Sequence, residues 1–156
     1  MTTTTVPTTR APEEWVAGFA AGWAEPSDAE SFCDHFDRLL DDQIRLIQPQ
    51  LPTTVGKPAF RERFARPLFA LLDDVRGTVE SWAATGDLVF IELTIRARLG
   101  SRPVELRTVD RIRLRDGLAV ERVAYLDPTP LLRAAALTPL AWPRFARVQL
   151  GRLVKR

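Results

Sequence analysis

From Val75 onward, polar and apolar residues alternate with a period of two through four successive segments, 75–85, 87–99, 103–115 and 117–127. The strings between them, TGD, LGSR and RDG, are hairpin turn signals, so the pattern predicts four long strands in an antiparallel meander. A chain of 156 residues has room for one core of ordinary size. Strands this long in so short a chain imply a strongly curved sheet, one face of which needs cover.

The residues ahead of the meander supply that cover. Pro12 suits the first turn of a helix, and Trp15, Val16, Phe19, Ala20 and Trp23 recur at three- and four-residue steps. Ser27 and Glu30 form an S-x-x-E capping box that opens a second helix running to about Leu40, with Phe32, His35, Phe36 and Leu39 on its stripe. IRLIQP reads as a short strand and QPQLPTTVG as a loop. A third helix opens at Pro58, with a kink near Arg66 because Pro67 lacks a backbone donor, or else as two short helices. A Leu-rich helix follows from Pro130 to about Leu137.

Three helices followed by such a sheet describe an α+β fold in which helices close a cone, leaving a pocket at its mouth. The expected organisation is a Thr-rich flexible leader over residues 1–10, the cone domain over 11–137 and a basic helical tail over 138–156. That tail holds Arg144, Arg147, Arg152, Lys155 and Arg156 and no acid, whereas the remainder has 17 basic against 20 acidic residues. For the tail three readings stand side by side: a helix packed on the domain or a partner subunit, a helix on an anionic membrane surface, and a solvated basic segment.

Composition excludes several function classes. One cysteine, Cys33, and one histidine, His35, build neither an intramolecular disulfide nor a zinc site of the usual kind, so no metal is expected. No Gly-rich phosphate loop, GxSxG or HExxH motif is present, and no cofactor is expected. The chain shows neither a signal-peptide pattern nor an apolar run of bilayer length, which makes the cytoplasm the default location. A basic sheet face interleaved with stacking aromatics is also missing, so nucleic acid is discounted as a partner.

The sharpest anomaly is Asp110. In its strand the even positions are Val104, Leu106, Thr108, Asp110, Ile112 and Leu114, which places a carboxylate on an aliphatic face. Lost hydration favours the protonated form, a hydrogen-bond donor or general acid, while an arginine partner is the competing reading. Val123, Tyr125 and Asp127 share a face of the next strand, and Asp127, before Pro128, is either a pocket carboxylate or the cap of the following helix. His35 is either a buried core histidine or a donor on the helix lid.

The paired N-terminal helices, IRLIQP followed by VGKPAFRERF, and the segment VDRIRLRDGLAVERVAYLD together resemble the nuclear transport factor 2-like superfamily, in its SnoaL-like and ketosteroid isomerase-like branch, over about residues 12–137. The resemblance implies a cone-shaped, often dimeric fold whose members include isomerases, polyketide cyclases, epoxide hydrolases and non-catalytic proteins. It places Asp110 where ketosteroid isomerases hold a protonated aspartate that donates to an oxyanion. Their general base falls at Gln48 and their tyrosine donor near Phe19. Asp127 matches the last-strand aspartate of limonene epoxide hydrolase, whose arginine and aspartate partners fall at Leu93 and Ile95.

The leading expectation is therefore a cofactor-independent enzyme that cyclises or isomerises a polyketide- or steroid-like carbonyl substrate by acid-base catalysis. Asp127 would be base or acid, Asp110 the neutral donor, and Tyr125 and His35 auxiliary donors. Gln48 would orient the substrate, with Phe19, Trp23, Leu93, Ile95, Thr108 and Ile112 as lining. The alternatives are a non-catalytic module that holds an apolar ligand or dimerises, and an epoxide hydrolase or epoxide-opening cyclase. The partners expected are an apolar small molecule and a second copy of the chain, with membrane contact through the tail as a weaker expectation.

Overall fold

The structure is a computed structural model that describes residues 11–48 and 51–154, with side chains described as far as residue 148. The expected leader lies outside the described residues. Helix α1 spans Pro12–Ala24, with Pro12 in its first turn and Trp15, Phe19 and Trp23 on its buried side. Helix α2 spans Ala29–Phe36, and its cap is displaced by one residue from the expected Ser27. Asp28 Oδ1 accepts from Ser31 N at 2.7 Å and Asp28 N donates to Ser31 Oγ at 3.3 Å. Glu30 is drawn away from any capping role by ion pairs with Arg61 and Arg66.

Strand β1, Leu40–Ile47, starts earlier than IRLIQP suggested and is followed by the short β2, Thr54–Val55. The next helical run comprises α3 (Lys57–Phe60), a π-helical segment (Arg61–Ala65) and α4 (Arg66–Leu71). The disturbance expected at Arg66 is thus taken up one turn earlier, where Arg66 N donates to Arg61 O, and Pro67 sits in the first turn of α4, where its missing donor is harmless.

The meander forms as β3 (Asp73–Thr85), β4 (Leu88–Leu99), β5 (Arg102–Arg115) and β6 (Leu118–Leu126). Asp116 and Gly117, between β5 and β6, both have positive φ, as a tight hairpin turn requires. The six-stranded sheet has the order β2-β1-β6-β5-β4-β3, antiparallel except where β1 runs beside β6. Register shifts in β3 and at the β5–β6 pair accompany its curvature, and the sheet stays unclosed. Aromatic rings fill the space under the helices: Trp23 meets Phe32 edge to face at 4.9 Å, and Phe32 lies 4.6 Å from Phe36.

The C-terminal segment builds α5 (Thr129–Ala136), a 3-10 turn (Pro139–Ala141) and α6 (Trp142–Val154). Helix α6 lies on the domain, the first of the three readings of the tail. Phe145 packs against the core, Trp142 Nε1 donates to Ala135 O at 3.0 Å, and Arg144 pairs with Asp73 at 3.1 Å. Among the described residues no helix is long and apolar enough to cross a membrane.

Candidate functional site

The concave face is built from alternate residues of neighbouring strands. On β5 the inward row contains Leu106, Thr108, Asp110 and Ile112, each buried. The register shift between Arg113 and Leu114 inserts one residue into β6, so the inward row passes from Ala119 to the even positions Arg122, Ala124 and Leu126. Of these, Leu106, Thr108, Arg122, Ala124 and Leu126, together with Ile95 of β4, form one wall of a cavity of about 380 Å³. Leu68 and Leu71 of α4, Leu131 of α5 and Phe145 and Val148 of α6 close the rest.

Asp110 is fully buried beneath that wall, and both its oxygens act as acceptors. Thr108 Oγ1 donates to Oδ1 at 2.9 Å, while Arg122 Nε and Nη2 each reach Oδ2 at 2.7 Å. Of the two readings of Asp110, the structure shows the arginine pair. Arg122 itself lines the cavity, with its Cζ 5.2 Å from the centroid of the Phe64 ring. The result is a guanidinium whose position is set by a buried anion and an aromatic face, available at the wall of a mostly apolar chamber.

The other expected site residues separate into two groups. Gln48, Trp23, Ile95 and Thr108 line the chamber with Arg122. Phe19 and Ile112 border only a void of about 20 Å³ in the aromatic core, and Leu93 is fully buried in the core. His35 is a structural residue: its Nε2 lies 2.8 Å from Gly18 O and so ties α2 to α1. Tyr125 is exposed on the convex face beside its cross-strand partner Val109. Asp127 is also outside the chamber. Its Oδ1 accepts from Thr129 N at 2.9 Å at the start of α5, and these hydrogen bonds from Thr129 hold its carboxyl below the usual carboxylate range. The two aspartates, together with Tyr125 and His35, are thus not brought into one acid-base site.

Reading β6 as strictly alternating conceals Arg122, because the inserted residue reverses which positions face inward. One signal in the sequence points to it nonetheless. A carboxylate at an apolar position requires a partner, and Arg122 is the basic residue on the adjacent strand nearest Asp110 in the hairpin register. Trp23 Nε1 is buried without a hydrogen-bond partner. Among the described residues no group of three or more His, Cys, Asp or Glu side chains is placed to hold a metal ion.

Comparison with known proteins places this geometry in a family. The profile of the SnoaL-like domain matches residues 13–122, well over half of the chain. The chain belongs to the SnoaL-like domain family. Among solved structures, this SnoaL-like chain is similar to a candidate SnoaL-like polyketide cyclase from Jannaschia, with a TM-score of 0.68 and 18% identity over 80% of this chain and 94% of that one. It is also similar to IdmH, a candidate polyketide cyclase from Streptomyces antibioticus, with a TM-score of 0.65 and 20% identity over 81% and 99% of the two chains. A third similar structure is an LEH-like epoxide hydrolase of M. tuberculosis, with a TM-score of 0.60 and 16% identity over 80% and 93% of the two chains. At these identities the neighbours show the nuclear transport factor 2-like fold. No curated protein sequence gives a significant match.

Proposed function

We propose that the cone takes up an apolar, carbonyl-bearing small molecule and promotes its cyclisation or isomerisation through an enolate that Arg122 stabilises. The observation that carries this reading is the guanidinium of Arg122, held at the chamber wall by the buried Asp110. A preorganised cation at a mostly apolar wall stabilises charge developing on a carbonyl oxygen more than the same cation would in bulk water. Because Asp110 anchors Arg122, the donor does not have to be oriented when the reaction occurs.

Among the described lining residues the chamber carries no carboxylate, so the carbon acid must be one that water or hydroxide can deprotonate. A C–H bond between two carbonyl groups meets that condition. Its proton leaves to solvent and the electron pair moves onto the oxygen facing Arg122. In a cyclisation the enolate carbon then attacks a second carbonyl carbon of the same molecule, its π bond breaks, and the new alkoxide takes a proton from water. Gln48 at the rim supplies an amide to hold another oxygen of the substrate.

The missing carboxylate also favours a second reading, in which the chamber only holds such a ligand. The exchange in D2O of the C2 proton of 2-acetyl-1-tetralone, which lies between two carbonyl groups, followed by NMR, separates the two. Acceleration by the protein that falls about 10²–10³-fold in Arg122→Gln, and less in Arg122→Lys, supports catalysis through this donor. Binding of the ketone without accelerated exchange supports the carrier reading, and no binding removes both.

A further inference from the structure

A second chamber borders the inner one. Its volume is about 490 Å³, and it shares Gln48, Leu51, Arg63, Phe64, Pro67 and Val148 with the inner chamber, so the two adjoin at these side chains. Their chemistry differs. In the inner chamber the one guanidinium away from the shared rim, that of Arg122, is matched by Asp110. The outer chamber is bordered by Arg63, Arg66 and Arg147 against the single acid Glu62. Arg66 is matched by Glu30 and Glu62. Arg147 lies in the stretch 138–156, which contains no acid, and has no ion-pair or hydrogen-bond partner among the described residues.

We propose that this outer chamber is an oxyanion subsite, and that the natural ligand is an amphipathic acid with its apolar body in the inner chamber and a carboxylate against Arg147 and Arg63. The proposal rests on the reading that the cone holds a small molecule, and it narrows the class of that molecule. Arginine suits the role because its planar fork meets a carboxylate with two parallel hydrogen bonds, which a neutral ligand cannot return. Helix α6 carries both Arg147 and the wall residue Val148, so a single element reads the charged end and covers the apolar end. A neutral body of the same shape fills the inner chamber but leaves Arg147 without an anion.

The experiment compares two fluorescent probes with the same anilinonaphthalene body on the full chain: neutral N-phenyl-1-naphthylamine and anionic 8-anilino-1-naphthalenesulfonate. The readout is the ratio of their dissociation constants, with far-UV circular dichroism confirming the fold of each variant. The ratio is expected to favour the anion by about tenfold at low salt and to shrink at about 0.5 M NaCl, where the Debye length drops to a few ångströms. In Arg147→Gln, and further in the Arg63→Gln/Arg147→Gln pair, it falls toward one; in Arg147→Lys it is partly kept. A ratio near one in the unaltered protein overturns the oxyanion subsite while leaving the cone as a binding chamber. A preference that survives both arginine replacements also overturns it, because the anion is then held elsewhere. If neither probe binds, the reading of the cone as a ligand chamber fails first.

Discussion

Arg122 and Asp110, twelve positions apart in the chain, meet through Nε and Nη2 on one carboxylate oxygen at 2.7 Å, with Asp110 wholly inside the protein and Arg122 at the boundary of the chamber. Removing one member leaves the other charge buried without its counterion. Asp110→Ala is expected to lower the unfolding free energy by about 3–5 kcal/mol, and the double change Asp110→Leu/Arg122→Met to restore much of that loss. Urea denaturation of the two variants and the unaltered chain measures the difference. Equal stability of the single and double variants would show that the two groups are not coupled.

Asp127 provides the contrast. Its carboxylate is exposed and bound to Thr129 at the start of α5, outside the chamber. Asp127→Asn is therefore expected to leave ketone binding and α-proton exchange at the level of the unaltered protein. The pH dependence follows from the direction of its shift. With the folded-state value below the unfolded one, its stabilising contribution is present above the usual carboxylate range and lost as pH falls through the lowered value. Thermal melts of the variant and the unaltered chain should converge as the solution is acidified through that range.

Cys33 lies at 1% exposure among the aromatic rings, and burial pushes its thiol up to about 11. Its preference for the neutral thiol stabilises the fold fully below the unfolded value of 9.0. That contribution is lost as pH rises from there through about 11. Ellman's reagent at pH 8 should leave native Cys33 unmodified and react in full once the chain is unfolded in guanidinium. Fast reaction of the native protein would mean that α2 opens readily.

Gly77 lies where α1 presses on β3. A Cβ placed there would stand 2.8 Å from Trp23 Cβ and 3.1 Å from the indole ring. Gly77→Ala is expected to cost about 1–3 kcal/mol, because it displaces a side chain that packs into the aromatic core and borders the chamber. Calorimetry measures the stability, and probe titration should show weaker binding in the same variant. A neutral substitution would mean that α1 shifts freely on the sheet.

Helix α6 contributes Phe145 and Val148 to the chamber wall. Phe145→Ser should weaken binding of both naphthalene probes several-fold while the sheet keeps its cooperative melt, since one side of the chamber opens to water. Unaltered affinity for both would place the probes elsewhere.

The sequence by itself determined the strands and much of the covering layer. Alternation at period two, broken by Gly-containing turns, is a local property that survives any particular packing, and the meander follows it within a few residues. The same parity singled out Asp110, because a carboxylate among Leu106, Thr108 and Ile112 is anomalous in whatever structure the strand joins. What only the tertiary structure decided was the identity of its partner and the direction of its neighbours. One extra residue in β6 turned Arg122 inward and left Tyr125 outside, an outcome set by how two strands pair rather than by either alone. Glu30 likewise left its expected capping place for Arg61 and Arg66, residues about thirty positions away. The chamber itself belongs to this second class, for its wall draws on β4, β5, β6, α4, α5 and α6 together. Periodicity within a segment is local and is written in the sequence. Charge pairing and cavity shape arise only when distant segments compete for the same space.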